Sequence, residues 1–140
     1  MMDPPQVLLE QSFLEAVVHL DQVDHEAAAA TYLELVTQYE RREVLLVAVS
    51  THLDPYRAIA HYGVFAPVDR LWVGGQHRKA AQRLSADAGH PFDIALTLVM
   101  AERHRVRRIA TFEPVFTHFR LELLPSVDVA SEQSTPSERK

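Results

Sequence analysis

The chain has 140 residues, a hydrophobic fraction of 47%, a formal net charge of −5 and no cysteine. Such a length favours one domain with a core that needs no covalent staples. The absence of cysteine excludes thiolate catalysis, disulfides and iron–sulfur clusters. No apolar run approaches the ~20 residues of a membrane span, and Met1-Met2-Asp3-Pro4-Pro5 lacks the basic start of a signal peptide. The expectation is a cytoplasmic protein.

Gln6 to Leu9 reads as a short buried strand. A helix follows over Ser12–Leu20, with Ser12 as a capping candidate. Asp21 or Asp24 would cap a second helix, which carries Tyr32, Leu33, Leu35, Val36 and Tyr39 at helical spacing. Arg41-Arg42-Glu43 turns the chain. Val44 to Val49 is almost wholly apolar, the pattern of a strand buried on both faces in a parallel sheet. Asp54-Pro55 predicts a helix start, with Asp54 as N-cap, and that helix would end near Gly63.

Leu71 to Val73 is the expected third strand, stopped by Gly74-Gly75. An amphipathic helix over His77–Ala88 stops at Gly89. Pro91 to His104 is a helix apolar enough to be largely buried. Arg108–Thr111 reads as a strand, Pro114–Phe119 as a helical turn and Leu121–Leu124 as a final edge strand. Residues 126–140 have the polar composition of a disordered tail. Strands alternate with helices, so the expected fold is α/β, with a mainly parallel central sheet flanked by helices over residues 1–125.

Charge is unevenly distributed. Residues 1–40 hold eight acids and no Lys or Arg, whereas residues 70–108 hold eight basic residues against three acids. This permits a basic surface beside an acidic cleft. Three acids stand at the ends of predicted elements: Glu10 after the first strand, Asp93 in the first turn of a helix, and Glu113 just past the strand ending at Thr111. The carboxyl ends of the strands in an open α/β sheet form the rim where ligands bind. Oxygen ligands there would suit a hard divalent cation, Mg²⁺ or Mn²⁺. Carboxylates at helix N-termini are also stabilising without any ligand.

The eight histidines show no HExxH spacing, which argues against zinc. Gly74-Gly75 lacks the rest of a phosphate loop. Ser12 and His25 have no third partner readable as a nucleophilic triad. Trp72 is expected to pack against the sheet rather than to offer a base-stacking platform. Arg103, Arg105, Arg107 and Arg108 flank the acidic segment and would meet phosphate groups or simply complement a helix end.

Several segments together resemble the PIN-domain family, most closely the VapC-type toxins of bacterial toxin–antitoxin pairs. The resemblance runs over about residues 6–125. It rests on Pro91-Phe92-Asp93-Ile94-Ala95-Leu96, on Arg108-Ile109-Ala110-Thr111-Phe112-Glu113, on the Phe116 turn and on Leu121-Glu122-Leu123-Leu124-Pro125. Val7-Leu8-Leu9-Glu10-Gln11-Ser12 echoes the family's strand–Asp–x–Ser/Thr start, and His25-Glu26-Ala27 a feature after the first loop. The resemblance implies a PIN-like domain acting as a Mg²⁺- or Mn²⁺-dependent endoribonuclease. Glu10, Asp93 and Glu113 would stand at the first, third and fourth acidic positions, with Ser12 and Thr111 as helper hydroxyls. It also implies an RNA substrate, a cognate antitoxin as partner and a homodimer. Glu replaces the usual Asp at the first and fourth positions. The family's second acid, a Glu on the helix after the second strand, has no clear counterpart; Asp54 is the nearby acid and a candidate catalytic helper. These departures motivate an alternative: a catalytically degenerate PIN domain acting as a protein- or RNA-binding module.

Overall fold

Short, unbroken apolar strands need cover on both faces, and the chain supplies it with helices in the connections between strands. In the computed structural model, which describes residues 3–57 and 63–125, the elements in chain order are β1 (Gln6–Leu9), α1 (Gln11–Val18), α2 (His25–Glu40), β2 (Leu45–Val49), α3 (Ser50–Leu53), β3 (Val68–Leu71), α4 (Gly75–Ala88), α5 (Phe92–Arg103), β4 (Arg108–Ala110) and β5 (Glu122–Leu124). Two 3₁₀ turns, Asp54–Arg57 and Pro114–His118, follow α3 and β4. The predicted tail, residues 126–140, lies outside the described residues.

The five strands form one sheet in the order β3-β2-β1-β4-β5, with every pairing parallel. The strand period of two divides their side chains between two cores. Leu8 pairs in register with Val47 on one side and Ile109 on the other. Those three residues face the layer that holds Ile94, Leu96, Val99, Met100 and Phe116. Val7, Leu9, Leu46, Ala48 and Ala110 point the opposite way, onto Phe13, Leu14, Tyr32, Leu35 and Phe65. Removing a side chain such as Leu8, fully buried at the middle strand, costs about 2–5 kcal/mol when truncated to Ala.

Four local expectations are corrected. The third strand is Val68–Leu71, not Leu71–Val73, because its register follows β2: Leu46 pairs with Val68 and Val49 with Leu71. Since β2 ends at Val49, residues 72 and 73 lie beyond the last rung of the ladder. Gly74 precedes α4 as its N-cap, and Gly89 ends that helix with a φ of 78°, a left-handed conformation that costs glycine little. The cap of α1 is Glu10, not Ser12: its carboxylate accepts the Ser12 N–H. Asp54 is not an N-cap either, because α3 begins directly from β2 at Ser50 and Asp54 is its C-cap. The remainder of that expected helix falls partly at residues 58–62, outside the described residues.

Candidate active site

All five strands run the same way, so their carboxyl ends share one rim. Leu9, Val49 and Ala110 end β1, β2 and β4 there. The next residue on each strand is polar: Glu10, Ser50 and Thr111. The N-terminus of α5 reaches the same rim, since this helix runs back to the start of β4.

Glu10 is the centre of the arrangement. Its backbone N–H donates to the Ala110 carbonyl at 2.9 Å, continuing the β1–β4 ladder one residue past the strand. That bond fixes the backbone and leaves the side chain almost enclosed, at 3% exposure. Oε1 accepts from the Ser12 N–H at 3.0 Å, the Ser12 hydroxyl at 2.5 Å and the Thr111 hydroxyl at 2.6 Å. Each hydroxyl has a single proton, and both are directed at Glu10. Their lone pairs accept from the next loop: Phe112 N–H donates to Ser12 Oγ at 2.9 Å, and Glu113 N–H to Thr111 Oγ1 at 3.0 Å. The network ties β1, α1 and the residues after β4 into one knot.

Electrostatics at Glu10 are contested. Burial is the largest influence and raises its carboxyl above the ordinary range, since charge is costly away from water. The bonds from Ser12 and Thr111 pull in the other direction, and the nearby charge of Glu113 adds to the rise. The net result is a raised value. Glu113 itself is exposed, at the N-cap of the 3₁₀ turn Pro114–His118.

Asp93 lies in the first turn of α5, with its side chain 56% exposed. His52 Nε2 meets its Oδ1 at 3.3 Å. His52 is only 5% exposed, and its Nδ1 is buried with no hydrogen-bond partner among the described residues. Sequence reasoning missed this residue. It stands on α3, the helix after β2, where the PIN resemblance places an acid. The available signal was its position three residues beyond the end of a buried strand, a better guide than ligand spacing. Asp54 lies apart from this pairing, with its Oδ1 held by Arg70 Nε at 2.7 Å.

The donor set near Glu10 is made of carboxylates, the oxygen chemistry that hard divalent cations take. Burial is the main cause of the rise at Glu10; the charge of Glu113 adds a smaller repulsion, which a bound cation would relieve. The donors fit in chemistry, and Glu10 and Glu113 supply a pair. Asp93 is engaged by His52, and among the described residues no three His, Cys, Asp or Glu side chains converge as a metal-holding group. Scattered zinc ligands are likewise not assembled among the described residues.

The strand order and the polar rim define the class: an α/β domain with a polar rim at the carboxyl ends of a parallel sheet. The fold is the PIN-domain fold seen in VapC structures. VapC20 from Mycobacterium tuberculosis, a Sarcin-Ricin loop cleaving toxin, superposes with a TM-score of 0.60 over 80% of this chain and 93% of its own, at 12% sequence identity. VapBC2 from Rickettsia felis, bound to a DNA fragment from their promoter, gives a TM-score of 0.61 over 84% of this chain and 96% of its own, at 10% identity. No protein-family model and no curated protein matches the sequence. Among the described residues no helix is long and apolar enough to cross a membrane.

Proposed function

We propose that the protein is the toxin of a toxin–antitoxin pair, a divalent-metal-dependent endoribonuclease whose Mg²⁺ or Mn²⁺ is held by Glu10, Asp93 and Glu113. The observation that carries the reading is the buried Glu10, braced by the Ser12 and Thr111 hydroxyls beside Glu113, on the ligand-binding rim of this fold. Its fold-mate VapC20 is a Sarcin-Ricin loop cleaving toxin, which supports RNA as substrate. VapBC2, from Rickettsia felis, supports a cognate antitoxin as partner. A homodimer is part of the same proposal.

When bound, the cation supplies activation of water and neutralisation of charge on the phosphoryl group. The chain's own residues supply orientation. Ser12 and Thr111 both bond Oε1 of Glu10, so its second oxygen takes none of these bonds. His52 holds Oδ1 of Asp93 and thereby sets the carboxylate's direction at the start of α5. Such supporting partners commonly orient ligands at metal sites. Asp54 has its carboxylate engaged by Arg70, and we assign it no part in holding the cation.

A second reading has its own observation: three acids do not converge among the described residues, and a histidine occupies the helix where the family has an acid. That favours a PIN domain that binds RNA or protein without turnover. Calorimetric titration of Mn²⁺ into the wild type and Asp93→Asn, paired with an RNA cleavage assay, separates the two. Saturable binding and cleavage, both lost in the variant, are expected of the nuclease. No Mn²⁺ binding and no cleavage by the wild type would overturn it in favour of the binding module.

A further inference from the structure

The sole tryptophan of the chain is on the surface. Trp72 was expected against the sheet, yet it is 68% exposed. The reason is the ladder: β3 ends at Leu71, opposite Val49, and Trp72 is the first residue beyond it. Leu71 and the following Val73 turn into the α4–α5 core. Period-two alternation therefore directs Trp72 to the other side, with Arg70. The Arg70 guanidinium lies 5.3 Å from the centroid of the indole. It is itself fixed by Asp54 at 2.7 Å. The ring thus has one face backed by a tethered cation, and most of the residue's surface is open to solvent.

The location matters as much as the exposure. Trp72 stands at the carboxyl rim, two strands from Glu10 in the sheet order, a lateral separation of about 10 Å at the ordinary strand spacing. Immediately after it, α4 begins at Gly75 with no acid in its first turn. Arg78 and Lys79 are exposed there, where the helix dipole opposes cations and favours an anion. A flat aromatic face beside a guanidinium, followed by cations at a helix N-terminus, matches a base followed by a phosphate. A protein hot spot would surround the tryptophan with apolar contacts that exclude water. Here its neighbours in the shallow surface depression are Val68 and the polar Asp69 and Arg70.

We infer that Trp72, backed by Arg70 and Asp54, is a stacking platform for a nucleobase of single-stranded RNA bound along the carboxyl rim. This deepens the proposed function, and it rests on that reading for its RNA ligand. Trp72 is a binding and positioning residue in this scheme, not a catalytic one. Base–aromatic stacking tolerates any base, so the platform would add affinity and register more than sequence choice.

A single tryptophan makes the test direct. Short oligoadenylate and oligouridylate are titrated into the full chain without divalent metal, reading intrinsic fluorescence. Saturable quenching is expected, stronger with adenine because its ring is larger. Fluorescence anisotropy of labelled oligoadenylate then reads the variants. Trp72→Ala should weaken binding about ten- to hundredfold, and Trp72→Phe should recover most of that loss. Both substitutions are at an exposed position, and circular dichroism checks their folding. RNA that binds without quenching and equally well to Trp72→Ala would overturn the inference, as would a wild type that binds neither oligonucleotide. The outcome is separable from the metal reading. Trp72-dependent RNA binding in a protein that takes up no Mn²⁺ would sustain the platform and refute the nuclease. Metal-dependent cleavage unaffected in KM by Trp72→Ala would do the reverse.

Discussion

Glu10 and Asp93 stand on the same rim under opposite constraints. Glu10 is enclosed, its Oε1 receives three hydrogen bonds, and its donors come from both ends of the chain. Asp93 is more than half exposed and has, among the described residues, one side-chain partner, a histidine at 3.3 Å. The first carboxylate is preorganised at the cost of a raised affinity for a proton. The second is open to solvent and loosely aimed. A site that joins them would take its rigidity from the Glu10 knot and its charge from the outer acids, Asp93 and Glu113. Removing either side should therefore fail in a different way.

The largest effect is expected at the loose side. Asp93→Asn keeps the size of the side chain but removes its charge. It should weaken Mn²⁺ binding by more than the ~10–100-fold typical of losing a supporting partner, with cleavage lost in parallel; calorimetry and an RNA gel assay check this. His52→Leu removes that supporting partner and should fall within the ~10–100-fold range itself. Equal Mn²⁺ affinity in His52→Leu and wild type would mean that the 3.3 Å contact orients nothing.

The rigid side should respond in stability. Thr111→Val removes the hydroxyl that donates to Glu10 and accepts from Glu113 N–H. It should cost about 1–3 kcal/mol in denaturant unfolding, the usual range for a buried group left without its partner. Glu10→Gln should show its effect in pH dependence. The folded protein holds the Glu10 proton more tightly than the unfolded chain, because its value is raised above 4.5. Between the unfolded and folded values the native state carries more protons, so stability falls as pH rises through that window. The cost is complete above the folded value. Glu10→Gln should flatten this slope and be the more stable protein at neutral pH while losing metal affinity. An unchanged slope would place the proton elsewhere.

The smallest effect is expected at Asp54. Its bridge to Arg70 is partly exposed, so Asp54→Ala should change stability by at most about 1 kcal/mol. Mn²⁺ affinity should not change, and a large fall in it would place Asp54 at the metal site.

Much of this was readable in the residues alone. The unbroken apolar runs at Val7–Leu9 and Val44–Val49 announced strands buried on both sides, and the sheet is wholly parallel. Element ends placed Glu10, Asp93 and Glu113 near one rim, because a residue that follows a parallel strand has nowhere else to go. Periodicity is local and survives any tertiary arrangement. Contacts are not local. Thr111 reaches Glu10 across 101 positions and His52 reaches Asp93 across 41. Nothing in the spacing of either pair anticipates the bond. The order of strands brought those segments together. The register with β2 ended β3 early, leaving Trp72 in solvent, and Arg70 drew Asp54 into an ion pair. The sequence by itself determined the alternation of strands and helices, and that Glu10 and Glu113 follow strands while Asp93 begins a helix. Only the tertiary structure decided which carboxylate is buried, which is held by a histidine and which is neutralised by an arginine, because burial and charge pairing depend on neighbours that the chain supplies from far away.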